Sequence, residues 1–316
     1  MGESSAALRA GGDCSLVTST SAAVRDRPQP GDPLDPGAAI SIRGLGKRYG
    51  EFVAVDHLDL DIARGEIFAL LGPNGAGKTT TVEICEGYRA RDVGEVRVLG
   101  EDPAQGGRAW KARLGIVLQS NSGESQLTVR EMIASRTDLY ADPRDPDEVL
   151  ELVGLTEKAR VRGQSLSGGQ RRRLDVALGI VGRPTLLFLD EPTTGFDPEA
   201  RRQFWSLIRS LRELGTTMLL TTHYLDEAEA LADRVGVISR GRLVEVAVPA
   251  LLGGRETAPA LISCTEDGAR RTAQTATPTA FVQELAARFP GEVPDLTVAR
   301  PTLEDVYLRM IGEDGA

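Results

Sequence analysis

Apolar residues recur along this chain in two patterns. Compact runs at residues 67–71, 114–118, 185–189, 217–221 and 234–238 predict buried strands. Alternating stretches predict strands with one wet face. Ile40-Ser-Ile-Arg43 reads as an edge strand. Residues 55–62 put Leu58, Leu60 and Ile62 on one face and His57, Asp59 and Asp61 on the other, so His57 reads as a solvated strand residue without a function. Residues 94–100 form a shorter alternating strand, and residues 243–246 another after the turn Arg240-Gly241.

Helical spacing fills the gaps between these strands. A helix begins at Lys78 and runs through residues 81–86. Residues 120–165 read as a helical insertion, with a capping box at Thr128-Val-Arg-Glu131 and a helix over 147–153 that Gly154 can end. Ser167 is a helix cap ahead of residues 171–180, and the arginines there, Arg171, Arg172 and Arg173, are expected to be mostly solvated or in local ion pairs. Asp197-Pro198 starts another helix, and residues 224–232 are helical. Beyond residue 247 the pattern blurs, with a strand at 261–263 and a helix near 281–289. Residues 301–310 then place Leu303, Val306, Tyr307 and Met310 on one helical face.

Composition narrows the picture. The chain has 316 residues and a net charge of −9, which argues against a large nucleic-acid footprint. Cys14, Cys85 and Cys264 are widely spaced and suggest neither a disulfide framework nor a zinc site. No apolar run approaches the roughly 20 residues of a spanning helix, and no secretory leader is visible. Residues 1–37, rich in Gly, Ala, Ser, Asp and Pro, are expected to be disordered.

The candidate chemistry sits at strand ends. Gly72-Pro73-Asn74-Gly75-Ala76-Gly77-Lys78-Thr79-Thr80 lies between a strand and a helix, and its spacing is that of a P-loop. Its glycines let successive N–H groups face phosphate oxygens, Lys78 supplies a mobile charge, and the Thr79 hydroxyl can ligate Mg²⁺. The run before Asp190-Glu191 has the Walker B pattern, with Asp190 for Mg²⁺ and Glu191 beside the γ-phosphate to polarise water. Gln119 ends another buried strand, where it serves Mg²⁺ or the attacking water unless it is merely a loop residue. His223 also ends a strand on the crevice side, and its imidazole can reach a γ-phosphate. Tyr49 is either a packing aromatic or a purine-stacking one. Leu166-Ser167-Gly168-Gly169-Gln170 leaves bare N–H groups at a helix start, a second anion site.

In order and spacing these elements resemble an ATP-binding cassette of an ABC transporter, over about residues 38–246. The resemblance implies an α/β fold: a P-loop NTPase ABC cassette with a RecA-like mixed-sheet core, an antiparallel β subdomain and a helical subdomain at about 120–165. A small α+β tail would follow at 247–316. It implies that Tyr49 stacks on adenine, that Gln119 is the Q-loop residue and that His223 is the switch histidine. It also implies that Leu166, Ser167, Gly168, Gly169, Gln170 and Asp197 meet the ATP of a second cassette, in a homodimer or a heterodimer. ATP and Mg²⁺ would be the ligands, a separately encoded permease the partner, and the cytoplasmic face of the membrane the location. The 301–310 stretch is similar to the tail of daunorubicin-type exporter ATPases of the ABC-2 branch. A soluble ABC ATPase working on ribosomes or DNA, and an importer ATPase, stay open as alternatives.

Overall fold

The computed structural model describes residue 28, residues 31–117 and residues 126–313. Expectations for Gln119, for most of residues 1–37 and for the start of the helical insertion fall outside the described residues. The chain runs β1 (Ile40–Tyr49), β2 (Phe52–Ile62), β3 (Ile67–Leu71), α1 (Lys78–Cys85), β4 (Val93–Val98), α2 (Arg108–Lys111) and β5 (Leu114–Val117). It continues through α3 (Val129–Thr137), α4 (Pro146–Leu152), α5 (Gly168–Ile180), β6 (Leu186–Asp190), α6 (Pro198–Glu213), β7 (Thr217–Thr222), α7 (Leu225–Leu231), β8 (Arg234–Ser239) and β9 (Arg242–Ala247). The tail holds β10 (Ala260–Glu266), β11 (Ala269–Thr275), α8 (Pro278–Ala286), β12 (Thr297–Ala299) and α9 (Leu303–Glu313).

The compact apolar runs form one six-stranded sheet in the order β5-β6-β7-β3-β8-β9, parallel except for β9. Both faces are buried, and each run divides its side chains between two cores. Ile67, Ala69 and Leu71 of β3 face one core with α5, α6 and α7. Phe68 and Leu70 face the other, where they meet Ile40, Ile42, Leu58, Leu60 and Ile62 of a three-stranded antiparallel sheet, order β2-β1-β4. The arrangement is the expected α/β cassette fold. Parallel strands here all point their C-terminal ends at one rim, which gathers the P-loop, Asp190 and the β7 end.

The structure corrects two expectations in the smaller sheet. β1 is its central strand, not an edge, because it runs on to Tyr49 and pairs with both β2 and β4. Its alternation reflects the sheet having a single core-facing side. Asp59 is not solvated: it is 6% exposed, and its Oδ1 accepts the Gly44 N–H at 2.7 Å. The irregular β1–β2 register lifts His57 out at φ +50°, and it stays exposed. Residues 32 and 33 lie over this region, held by Arg43, which donates to Asp32 O at 3.1 Å and Pro33 O at 2.8 Å.

In the insertion, Thr128 and Glu131 close the expected capping box at the start of α3. The tail is a β11-β10-β12 sheet backed by α8 around Ile262, Cys264 and Leu285. α9 returns to the larger core, burying Leu303, Val306 and Tyr307. Val306 packs where Gly253 turns at φ +59°; a Cβ there would meet Val306 Cγ1 at 2.2 Å. Among the described residues no helix is long and apolar enough to cross a membrane.

Candidate functional site

Between β3 and α1 the backbone curls tightly enough to demand glycine. Gly77 sits at φ +105°, and a Cβ there would lie 2.3 Å from Ala54 O. At Gly72 a Cβ would lie 2.4 Å from Ile238 O. The loop is thus clamped between β2 and β8, with its N–H groups at the start of α1. Lys78 is only 6% exposed, and its Nζ donates to Gly72 O at 2.6 Å and to Pro73 O at 3.1 Å. Burial pulls its pKa down, while Glu191 and Asp190 push it up. The loop opens on a cleft of about 360 Å³ that Thr79, Thr80, Asn74, Asp190 and Glu191 also line.

The acids come from the end of β6. Register places Asp190 opposite Thr221 of β7, and the Thr221 hydroxyl donates to Asp190 Oδ1. Glu191 follows at φ +43°, a left-handed conformation that costs a non-glycine residue roughly 1–3 kcal/mol and collects at functional sites. Its N–H donates to Thr221 O at 3.1 Å and to Thr221 Oγ1 at 3.2 Å. Its carboxylate lies 3.2 Å from His223 Nδ1 and accepts from Thr194 Oγ1 at 3.3 Å. The structure therefore brings together Lys78, Thr79, Asp190, Glu191 and His223, which are far apart in sequence.

Tyr49 stands at the mouth of the same cleft, 40% exposed, with Lys47 Nζ 5.6 Å and the Arg89 guanidinium 5.3 Å from its ring centroid. Phe52, its partner across the β1–β2 hairpin, is 58% exposed and lines the cleft too. Sequence reasoning missed Phe52, although the Gly50 turn between two aromatics was a signal for the hairpin.

Leu166, Ser167, Gly168, Gly169 and Gln170 line no part of that cleft. Ser167 caps α5 in a capping box: Gln170 N–H donates to Ser167 Oγ at 3.3 Å, and Ser167 N–H to Gln170 Oε1 at 3.1 Å. Asp197 caps α6, accepting from the Glu199 and Ala200 N–H groups at 2.9 and 2.8 Å. A second cleft of about 440 Å³ lies against Ser167, Gly169, Gln170 and Ala200. The Leu166 side chain, expected to contribute to this surface, is instead 6% exposed and packed in the larger core, where it anchors the turn.

Arg172 is likewise a correction. It is 7% exposed, not solvated, and donates to Pro192 O at 3.0 Å and Asp190 O at 2.7 Å. Helical spacing turns it inward, while Arg171 and Arg173 beside it are half-buried. Near it lies Glu227, fully buried, facing Thr222, Thr193 and Trp205. Burial pushes its carboxyl pKa up, and those three groups pull it back. The contacts are loose, since neither Glu227 oxygen closes a hydrogen bond of full geometry among the described residues. Glu86, behind the P-loop helix, is pushed up to about 8 by burial, with Asp190 and Glu83 adding to the effect. None of these buried ionisable groups carried a sequence signal, because charge at helical spacing ordinarily means a wet face.

Comparison with known proteins bears on what such a cleft does. The ABC transporter family model matches residues 55–194. The chain is 36% identical over 307 residues to the daunorubicin resistance ATP-binding protein DrrA3 of Streptomyces coeruleorubidus, covering 87% of this chain and 96% of that one. It is 42% identical over 227 residues to the Nod factor export ATP-binding protein I of Paraburkholderia xenovorans, covering 69% and 73%. Among solved structures it is similar to cbiO1 of Clostridium perfringens, part of the ABC transporter complex cbiONQ, with 26% identity, a TM-score of 0.64 and coverage of 70% and 92%. A dimeric ATP-binding cassette bound to ADP and Pi shares the fold, with 22% identity, a TM-score of 0.59 and coverage of 66% and 98%.

Proposed function

Because the chain belongs to the ABC transporter family, we propose that it is an ATP-hydrolysing subunit driving export of a drug, antibiotic or other hydrophobic compound through a separate permease. The observation that carries the catalytic part is the single cleft shared by the P-loop, Asp190 and Glu191, with His223 against Glu191. The export assignment is supported by relatives named for resistance and export that align over most of this chain.

ATP phosphates enter the curl of N–H groups, and Lys78 exchanges carbonyl contacts for phosphate oxygens. Thr79 and Asp190 offer a hydroxyl and a carboxylate, hard oxygen donors that fit Mg²⁺. Among the described residues no group of three or more His, Cys, Asp or Glu is arranged to hold a metal alone, which suits an ion that arrives with phosphate and keeps its waters. Bound there, Mg²⁺ would neutralise charge on the β- and γ-phosphates. Gln119, outside the described residues, is assigned to the same ion or to the attacking water. Glu191 orients a water and takes its proton as the oxygen attacks the γ-phosphorus and the bond to ADP breaks. His223 spans Glu191 and the γ-phosphate.

Tyr49 and Phe52 receive the adenine. Tyr49→Ala is expected to weaken ATP binding by ~1–3 kcal/mol, roughly 5- to 150-fold in Kd, with little change in turnover at saturation. Titration of a fluorescent ATP analogue reads this, and an unchanged Kd would remove Tyr49 from the adenine site.

The second anion surface, Ser167, Gly168, Gly169 and Gln170 beside Asp197, lies apart from the P-loop cleft of its own chain. We assign it to the γ-phosphate held by a second cassette, identical or not, in a two-fold pair. The helical part between β5 and α5 faces the permease, which holds the chain at the cytoplasmic side of the membrane. Tagged chain purified from its native membranes in mild detergent is expected to bring down a polytopic membrane protein in stoichiometric amount. Recovery of the chain alone, with ATPase activity intact, would favour a cassette that works without a permease.

A further inference from the structure

One buried hydroxyl bonds both the Asp190 carboxylate and the Glu191 backbone. Thr221 is fully buried at the end of β7, opposite Asp190 in the parallel register. A hydroxyl has one proton to give and lone pairs to accept with. The proton goes to Asp190 Oδ1. A lone pair takes the Glu191 N–H at 3.2 Å, while the carbonyl of the same threonine takes that N–H at 3.1 Å. Glu191 needs such holding, because at φ +43° its backbone lies where a side chain is disfavoured. The neighbouring Thr222 has a different task, accepting the Tyr224 N–H at 2.9 Å.

We propose that Thr221 is a positioning residue for hydrolysis: its hydroxyl fixes the rotamer of the Asp190 carboxylate and pins the left-handed turn that aims Glu191. The inference rests on the ATP-hydrolysing reading above. It assigns a role to a residue outside the P-loop, the Asp190-Glu191 pair and His223.

Thr221→Val keeps the branched shape that the buried strand packs and exchanges the hydroxyl for a methyl group. Thr221→Ser keeps the hydroxyl and removes a methyl group. Val is expected to lower kcat ~10–100-fold, with the KM for ATP rising only as far as the Mg²⁺-dependent part of binding is lost, and Ser to stay within about threefold of the unsubstituted chain in both. A binding measurement stands beside the kinetics. Affinity for a fluorescent ATP analogue without divalent cation should be the same in all three proteins, and the gain in affinity on adding Mg²⁺ should shrink in Val alone. Thermal melting should show Val folded.

Unchanged kcat in Val would overturn the proposal. So would equal losses in Val and Ser, which would make the effect one of packing. If the unsubstituted chain bound Mg-ATP without hydrolysing it, the hydrolytic reading would fail by itself. The binding arm would then still decide Thr221, since an equal Mg²⁺ response in Val would overturn its role.

Discussion

Glu191→Gln is expected to bind ATP normally, hydrolyse it ~10²–10⁴-fold more slowly, and accumulate as an ATP-bound dimer. The size of the loss follows from what the substitution leaves in place. Glutamine keeps the length and planarity of the side chain, so the contact with Thr194 and the backbone bonds to Thr221 can persist. What disappears is the acceptor of a proton. The imidazole of His223, 3.2 Å from one Glu191 oxygen, has no carboxylate to replace it. Bound ATP then continues to attract the N–H groups of the P-loop in one copy and those at Gly168 and Gly169 in the other, with no hydrolysis to remove the shared charge. Gel filtration with ATP and Mg²⁺ would show the dimer, and a single-turnover assay would give the rate. A folded Glu191→Gln chain that stays monomeric under ATP would sink the two-copy model, and one that hydrolyses at the unsubstituted rate would dismiss Glu191 as the base.

That prediction rests on residues legible from the sequence, and the reason is physical. The P-loop and the acids sit directly after buried strands, so a short apolar run ending in polar residues announces them. His223 and Asp197 are legible for a related reason: one follows the last residue of β7 and the other caps the start of α6. The misses share a different cause. Arg172 and Glu227 lie mid-helix, where the sequence shows a charge and the fold decides whether it meets water. Asp59 alternates as a solvated residue would, yet a bulge and the Gly44 N–H enclose it. Thr221 sits inside an apolar run and looks like a packing residue until the β6–β7 register sets it against Asp190. β11 gave no signal because it is an outer strand of the tail sheet, and most of its side chains face solvent. Local pattern thus reports the ends of elements well, but not which elements become neighbours.

Lys78→Ala carries the other large effect: ATP turnover at the assay background, a fall of at least ~10³-fold, as expected for losing a preorganised cation from the transferring phosphates. The lysine is placed for this. The residue is 6% exposed, and burial alone would drive its amine toward the neutral form. Asp190 and Glu191 oppose that drift, so the two acids assigned to the same cleft push the amine back toward its charged form. Two carbonyls, Gly72 O at 2.6 Å and Pro73 O at 3.1 Å, hold it within the loop until phosphate oxygens compete. Alanine removes the charge and leaves those acids facing the triphosphate without a counter-ion, so nucleotide affinity should fall along with turnover. Lys78→Arg separates charge from shape: a planar guanidinium keeps the charge but does not fit where a compact ammonium lies within the curl, and it should restore little activity. Circular dichroism and melting temperature should stay near those of the unsubstituted chain, since the bonds Lys78 makes are to loop carbonyls. Turnover within tenfold of the unsubstituted chain in folded Lys78→Ala would remove the P-loop cleft as the hydrolytic site.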